Sequence, residues 1–302
     1  MDPTAYEVIC DSTTDREAWL EHRRTMVTAS DMAAILGCNP WHGALEVYMD
    51  KIGMAAPVDE NEAMEWGHEL EEPVARAFGR RTNRHISMEG KLLRSVAHPR
   101  IGSTLDARQQ IDDAPWFPLE IKTTGIRGID EWEDGCPAWY MAQVQTQMLV
   151  TADAHASIAC LIAGQRMVWQ DIDADPEMQA AIVEAVGAFW QRVEDGNPPD
   201  PGPTKAAHEA LLRLYPQGDP KKIVALDQEA VGWDDRIAEI ADAMKALNLE
   251  DLQLRNLIEA RIGAAEKGVL PGGLGSWTWK NRERAAYRVK ACAFRELRRG
   301  RK

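Results

Sequence analysis

The stretch from Phe117 to Thr123, FPLEIKT, constrains the fold more than any other part of the chain. Its apolar residues and its terminal threonine are typical of a short strand. Side chains alternate along a strand, so Glu120 and Lys122 fall on one face and Ile121 on the other. An acid and an amine on one face suit a core poorly, because buried charges need partners. They suit a site for a hard cation and a water molecule.

A second carboxylate, Asp106, lies fourteen residues before Glu120, at the end of the apolar segment 101–105. The turn signal at 112–115, DDAP, lies between them, so we expect the segment ending at Asp106 to pair with 117–123 as a hairpin. Asp106 and Glu120 would then be neighbours at strand ends. An Asp, a spacer and a Glu-x-Lys on a hairpin are the sequence form of a Mg²⁺-dependent phosphodiester-cleaving site. Glu-x-Lys alone also occurs on ordinary solvated strands.

The segments around this hairpin alternate between helical and extended patterns. Helices are predicted at 13–24, 43–53, 61–79, 138–151 and 176–194, and further strands at 85–94, 155–163 and 166–172. Pro73 is expected to kink the helix 61–79 or to start a new one near Glu69. This order predicts an α/β fold (α+β, with a mixed sheet) and helices on both sides of the sheet.

Two helix faces carry further candidate site residues. Glu71 lies close to the apolar stripe of the helix 61–79, and an inward carboxylate requires an arginine or a metal, although most acidic residues on helices face solvent. Tyr140, Gln143, Val144 and Gln147 share one face of the helix 138–151. Amides on that face bind a phosphate, a water molecule or neighbouring protein groups, and the pattern leaves these possibilities open.

Near the N-terminus, Thr28 or Ser30 is expected to cap a short helix that ends at Gly37. Arg23 lies just before it. The first amides of such a helix form an anion site if an anion is nearby, and ordinary capping is the alternative.

The composition changes after the segment 197–203, NPPDPGP, which predicts a linker between a domain at 1–196 and a helical extension at 204–302. Residues 227–267 predict a charged helix with one apolar side, as a helical hairpin or a short coiled coil. Residues 280–302 contain ten basic and two acidic residues, a local net charge of +8. Such a tail suits a nucleic-acid backbone, an acidic partner or simple solvation.

Bulk properties exclude several classes of protein. A net charge of −13 over 302 residues argues against indiscriminate DNA binding. The five cysteines are scattered and contain no Cys-x-x-Cys pair, which argues against a zinc knuckle or an iron–sulfur cluster. The chain has no signal-peptide pattern and no apolar run long enough for a bilayer, so we expect a cytoplasmic protein without a membrane partner.

Taken together and in order, these features resemble the phage lambda exonuclease and YqaJ-type viral recombinase nucleases. That family belongs to the restriction-endonuclease-like PD-(D/E)xK superfamily, and the resemblance covers about residues 13–196. The features are Arg23 with Val27–Ser30, Trp66-Gly67 with Glu71, Asp106, Glu120–Lys122 and Tyr140–Gln145. Leu105 stands where the superfamily name has a proline.

The resemblance implies a restriction-endonuclease-like core flanked by helices, and a Mg²⁺ site that Mn²⁺ is also expected to fill. Asp106, Glu120 and the main-chain carbonyl of Ile121 would hold the principal ion. Glu71 would reach a second metal or a metal-bound water.

The same resemblance implies roles for five further residues. Lys122 would orient and acidify the attacking water or neutralise charge on the phosphate. Gln143 would help to place Lys122 or the scissile phosphate, and Tyr140 would support that wall. Arg23 and Ser30 match positions that contact a terminal 5′-phosphate.

The implied function is a 5′→3′ exonuclease on linear double-stranded DNA, generating single-stranded overhangs for phage-type recombination in a bacterial or phage-infected cell. Implied partners are DNA ends, a single-strand annealing protein and further copies of the chain in a ring such as a trimer. Alternatives are an endonuclease or repair nuclease of the same superfamily, and a non-enzymatic DNA-binding scaffold. Trp41 is a candidate wedge at the DNA entrance, but we assign it to the core.

Overall fold

The computed structural model describes residues 4–12, 14–56 and 61–282, which fall into two compact units, Met1–Pro216 and Gln217–Lys302. The strands of the first unit are β1 (Tyr6–Asp11), β2 (Val27–Thr28), β3 (His85–Met88), β4 (Lys91–Ser95), β5 (Ile101–Thr104), β6 (Ala107–Gln110), β7 (Phe117–Thr124), β8 (His155–Ile162) and β9 (Arg166–Asp173). Its helices are α1 (Arg16–Arg23), α2 (Met32–Ile35), α3 (Ala44–Lys51), α4 (Glu62–Thr82), α5 (Ala138–Thr151), α6 (Pro176–Glu194) and α7 (Lys205–Leu214).

These strands form two sheets, in the orders β1-β4-β5-β2 and β3-β6-β7-β8-β9. The second sheet is mixed, because β7 and β8 are parallel while its other neighbours are antiparallel. Helix α5 makes the crossover between β7 and β8, as parallel strands require. The predicted mixed α/β class is confirmed.

Helices cover both faces of the second sheet. Leu119 and Ile121 of β7 pack in a buried cluster with Val74 and Phe78 of α4. Glu120 points to the opposite face, where it contacts α5. The strand alternation predicted for 117–123 is therefore confirmed.

One segment predicted as a single strand is divided between the two sheets. Residues 85–94 contain both β3 and β4, and Gly90 between them has φ 148°, which favours glycine. The predicted hairpin between the segment ending at Asp106 and 117–123 is wrong, because a different strand pairs with 117–123. β5 belongs to the first sheet, and β6, which follows Asp106, pairs with β7. The turn after β6 is short enough to return the chain directly to β7, so the nearer strand takes that place.

Helix α4 runs through Pro73 without a second helix starting near Glu69. Asn61 caps it by accepting a hydrogen bond from Met64 N at 3.0 Å. The buried residues Val74 and Phe78 follow the proline and hold the helix against the sheet. This packing offsets the hydrogen bond that Pro73 cannot donate.

The segment 197–203 joins α6 to α7 within the first unit. Pro199 is buried, and Thr204 Oγ1 donates to Glu46 Oε1 of α3 at 3.0 Å. Ala207 and Ala210 of α7 are also buried. The first unit therefore continues to Pro216, beyond the segment that sequence reasoning treated as a linker.

The second unit contains the long helix α8 (Gln228–Ile262) and the antiparallel pair β10 (Lys267–Val269) and β11 (Ser276–Thr278). The predicted charged helix is present as one continuous helix, so the helical hairpin is ruled out. Most of the basic tail, from residue 283 onward, lies outside the described residues. No helix in the described part of the chain is long and apolar enough to cross a membrane.

Candidate active site

Asp106 lies at the point where the chain leaves the first sheet and enters the second. The register pairs Ala107 with Leu119, so Asp106 comes opposite Glu120. Its Oδ2 accepts a hydrogen bond from the main-chain N–H of Ile121 at 2.8 Å. The sheet register therefore brings the two predicted carboxylates together.

Glu120 is fully buried and accepts hydrogen bonds from three side-chain nitrogens. Gln143 Nε2 lies 2.6 Å from its Oε1. Lys122 Nζ donates to the same oxygen, and Gln147 Nε2 donates to Oε2. A buried carboxylate is costly without such partners. These three donors fix the position of the Glu120 carboxylate next to Asp106.

The charges at this site shift two pKa values strongly. Burial and then the charge of Glu120 raise the pKa of Asp106 well above its usual range, and Glu71 adds to the rise, while Lys122 and the Ile121 N–H act against it. Burial alone would lower the pKa of Lys122, but Glu120 and Asp106 outweigh it and raise that pKa. The site therefore favours the ammonium form of Lys122 and disfavours the charged form of Asp106.

Glu71 sits at the margin of this group. Its side chain is 31% exposed, and His68 Nδ1 lies 3.1 Å from its Oε1. In the described part of the chain, no group of three or more His, Cys, Asp or Glu side chains is arranged to hold a metal ion. The structure thus brings Asp106 and Glu120 together, while Glu71 acts on Asp106 through its charge.

An aromatic wall stands beside Lys122. The ring centroid of Tyr140 lies 5.2 Å from Lys122 Nζ, a cation–π distance. Trp132 stacks on Tyr140 with centroids 5.8 Å apart. Trp139 contacts both Tyr140 and Trp41, and Trp41 is 51% exposed. The assignment of Trp41 to the core is wrong, because half of its surface is exposed to solvent despite its contact with Trp139.

Two thiols near the site, the partly buried Cys136 and the buried Cys160, are poor nucleophiles. Burial, with a contribution from Glu120, raises the pKa of Cys136 to about 12. Burial likewise raises the pKa of Cys160 to about 12, with Lys122 opposing the rise. A neutral thiol does not attack a phosphodiester, so covalent cysteine catalysis is disfavoured here.

Gln147 is the site residue that sequence reasoning placed on the correct face without giving it a role. It follows Gln143 by four residues, one helical turn, and both amides reach Glu120. It is fully buried, and its Oε1 has no hydrogen-bond partner among the described residues. The i, i+4 spacing of the two glutamines was the signal available in the sequence.

Arg23 and Ser30, the two residues predicted to contact a terminal phosphate, lie next to each other. Arg23 Nη2 lies 3.1 Å from Thr28 Oγ1, Ser30 Oγ and Asp31 Oδ1. The fully buried ammonium of Lys51 donates to Asp31 Oδ2 at 2.9 Å. Burial would raise the pKa of Asp31, but Lys51 and Arg23 outweigh it and lower that pKa strongly. Asp31, which sequence reasoning did not single out, therefore holds the arginine of the candidate phosphate site.

One chain of contacts links this arginine to the acid pair. The guanidinium of Arg23 lies 4.6 Å from the ring centroid of Trp19. Trp19 Nε1 donates to Thr104 Oγ1 at 3.0 Å, two residues before Asp106. The candidate phosphate group and the candidate metal site thus lie in one region of the first unit.

The chain is similar to several known proteins. The family model for a YqaJ-like viral recombinase domain matches residues 18–154. The uncharacterized protein YqaJ of Bacillus subtilis (strain 168) is 31% identical over 276 residues, covering 88% of this chain and 84% of that protein. The uncharacterized protein R354 of Acanthamoeba polyphaga mimivirus is 28% identical over 144 residues, 44% of this chain and 26% of that protein.

Two solved structures are also similar. An alkaline exonuclease (LHK-Exo) from Laribacter hongkongensis has 21% sequence identity and a TM-score of 0.48, over 60% of this chain and 94% of that one. A phage related exonuclease from Haemophilus somnus 129PT has 16% identity and a TM-score of 0.44, over 56% of this chain and 94% of that one. The mixed five-stranded sheet, with the acid pair where β6 and β7 adjoin, is the mixed α/β architecture that the sequence predicted. Since the chain is 31% identical to a relative that it covers over most of its length, it belongs to the family of YqaJ-like viral recombinases.

Proposed function

We propose that this protein is a Mg²⁺-dependent DNA exonuclease that degrades one strand of linear duplex DNA, in the 5′→3′ direction. The observation that carries the proposal is the buried carboxylate of Glu120, held by Lys122 and two glutamines directly beside Asp106. Such an arrangement suits hydrolysis of an anionic phosphodiester. The name of the family, viral recombinase, supports a role in DNA recombination.

The residues at the site fit Mg²⁺. This ion prefers carboxylate and carbonyl oxygens and retains water. Burial, and then the charge of Glu120, raises the pKa of Asp106, so a cation bound by the two carboxylates would offset the cost of a second negative charge there. They would hold it with the carbonyl of Ile121, and Glu71 would contribute through water or through a second ion.

When bound, the ion supplies a Lewis acid that lowers the pKa of water and stabilises the oxygens of the phosphoryl group. The protein's own groups do the positioning. Lys122 remains protonated, and its side chain is 22% exposed, so its ammonium can orient the attacking water and offset charge on the phosphate. Gln143 and Gln147 fix the carboxylate of Glu120, and the ring of Tyr140 lies against the ammonium of Lys122.

End recognition belongs to Arg23, Ser30 and their neighbours. The hydroxyls of Thr28 and Ser30 and the guanidinium of Arg23 lie together and suit a terminal 5′-phosphate. The guanidinium of Arg23 already pairs with the carboxylate of Asp31. Binding of a phosphate would therefore replace some of the hydrogen bonds that Arg23 makes within the protein. A phosphate held at this point would make the end of the strand the preferred place of cleavage.

We also propose that the overhang passes to a single-strand annealing protein. A ring of several copies with a basic bore would reconcile the net charge of −13 with DNA binding.

A single assay tests the activity, its metal and its direction. Linear duplexes labelled on one strand, with a 5′-phosphate or a 5′-hydroxyl, and a covalently closed circle are incubated with Mg²⁺, Mn²⁺ or EDTA. We expect release of nucleotides from 5′-phosphorylated ends with either metal and no attack on the circle. Cleavage of the circle would indicate an endonuclease, and binding without any cleavage would indicate a scaffold.

A further inference from the structure

Helix α8 presents an apolar seam to solvent from Trp233 to Leu254, and Ile258, which continues it, is partly exposed. Its 35 residues include none that is buried. The seam positions alternate in steps of four and three: Trp233, Ile237, Ile240, Met244, Leu247, Asp251, Leu254 and Ile258. Met244 is 58% exposed, and its seam neighbours before Asp251 are exposed as well.

This spacing is that of a heptad repeat, with Ile237 and Met244 at one core position and Ile240 and Leu247 at the other. A helix of this length extends about 52 Å. An apolar stripe of that extent is larger than the isolated exposed side chains normal for a protein surface. A second helix with the same repeat would cover it.

We propose that α8 pairs with α8 of a second copy of this chain as an antiparallel two-stranded coiled coil. The pairing is independent of the nuclease activity proposed above. A second copy is the occupant because, under a two-fold axis, the apolar positions of the seam face one another and the charges beside them are complementary.

The single acidic residue of the seam decides the orientation. In a parallel pair, Asp251 would face Asp251 of the second copy, and two like charges in a seam repel. In an antiparallel pair, Met244 faces Leu247, Ile237 faces Leu254 and Trp233 faces Ile258 of the second copy. Asp251 then faces Ile240, and no two carboxylates meet.

This antiparallel register also uses the full helix. It is centred between Met244 and Leu247, next to Lys245 at the middle of α8 (Gln228–Ile262), so the two helices overlap from end to end. Ala241 and Ala243 flank the centre and allow close approach.

The charges beside the seam favour the same register. Asp234 comes next to Arg255 of the second copy, and the two-fold axis repeats this pair at the other end. Arg255 now bonds Asp251 of its own helix at 2.7 Å on an exposed surface, so it remains within reach of both acids. A parallel pair would instead place Asp234 near Glu229, an unfavourable contact.

The first test compares two apolar residues with nearly equal exposure on different sides of α8. Met244, on the seam, and Leu249, off the seam, are 58% and 61% exposed. We expect Met244→Asp in the full chain to halve the molar mass measured by light scattering or sedimentation equilibrium, and Leu249→Asp to leave it unchanged. If the first unit also joins other copies, the seam variant loses only the part of the mass that α8 pairing adds. Equal masses for wild type and Met244→Asp, or a larger effect of Leu249→Asp, would overturn the proposal.

The second test concerns orientation. Asp234→Arg should raise the dissociation constant of the pair about tenfold, since both ends of the coil then carry like charges. Adding Arg255→Asp should restore the wild-type value. Asp242→Arg, the same change on the opposite side of the helix, should have little effect. Tighter association of Asp234→Arg would show a parallel pair and overturn the antiparallel arrangement.

Discussion

At the scale of single residues, Glu120 explains most of the site. It is fully buried, yet its oxygens accept from one ammonium and two amides. These contacts place the Glu120 carboxylate beside Asp106, whose pKa is raised by burial and then by the charge of Glu120. Residues that hold unfavourable charges together in this way are typical of functional sites.

Glu120→Gln should therefore abolish DNA cleavage, with a loss of at least about a thousandfold in rate, because a neutral amide neither attracts a cation nor balances Lys122. The change preserves the size of the side chain but not its acceptors, so the thermal unfolding midpoint is measured in parallel to show that the variant is folded under the assay conditions. Glu72→Gln, an exposed acid of α4 paired with Arg76, is the matched control and should remain fully active. Normal digestion by Glu120→Gln would reject this site.

Gln147→Ala should lower the cleavage rate about tenfold to a hundredfold, because Glu120 loses one of the donors that orient it. Gln145→Ala provides the control, since Gln145 is also buried in α5 but donates to Asp173 O at 2.8 Å, away from the acids. Both variants should lose about 1–3 kcal/mol of unfolding free energy. Equal rates in the two variants would make Gln147 a structural residue only.

At the scale of elements, a buried ion cluster holds the segment after α1 against α3. Lys51 donates to Asp31, to Asp50 and to the carbonyl of Arg23, and Asp31 in turn holds the Arg23 guanidinium. The candidate phosphate site therefore depends on a helix that contributes no residue to it directly.

Asp31→Asn should lower the free energy of unfolding by about 3 kcal/mol, because it leaves the buried Lys51 with one carboxylate fewer. The folded-state pKa of Asp31 lies below the ordinary value of 3.8, so its contribution is fully present above that pH. The contribution is lost as the pH falls through the lower folded-state value.

Urea unfolding at several pH values measures this effect. The difference between wild type and Asp31→Asn should be constant from about pH 5 to pH 7 and should shrink below about pH 4. A difference that grows in acid would contradict the assignment.

At the scale of the whole molecule, the first compact unit ends after α7. Ala207 and Ala210 of α7 are buried, and Leu211 and Leu214 pack against the hydrophobic core cluster that contains Ala210. The chain should therefore tolerate a cut after Pro216 better than one after Pro203.

A chain ending at Pro216 should keep metal-dependent cleavage with a normal unfolding midpoint. A chain ending at Pro203 exposes the surface that α7 covers and should lose about 3 kcal/mol of stability. Comparing urea midpoints and digestion rates of the two truncations checks this. Loss of cleavage in a folded chain ending at Pro216 would mean that the second unit belongs to the active nuclease.

Much of the site follows from local patterns in the sequence. The alternation in FPLEIKT separated Glu120 from Ile121, and the helical period of α5 put Tyr140, Gln143 and Gln147 on one face. Both patterns repeat over a few residues, so neighbours along the chain are enough to specify them.

Strand partners, by contrast, depend on residues far apart in the chain. Asp106 meets Glu120 because β6 enters the second sheet, while β5, on its other side, stays in the first. Asp31 became a buried anion only when α3 brought Lys51 against it. The sequence by itself determined which side chains share a strand face or a helix face, because such periods are local. Only the tertiary structure decided which faces meet, because that choice depends on how the whole chain buries its apolar surface and pairs its buried charges.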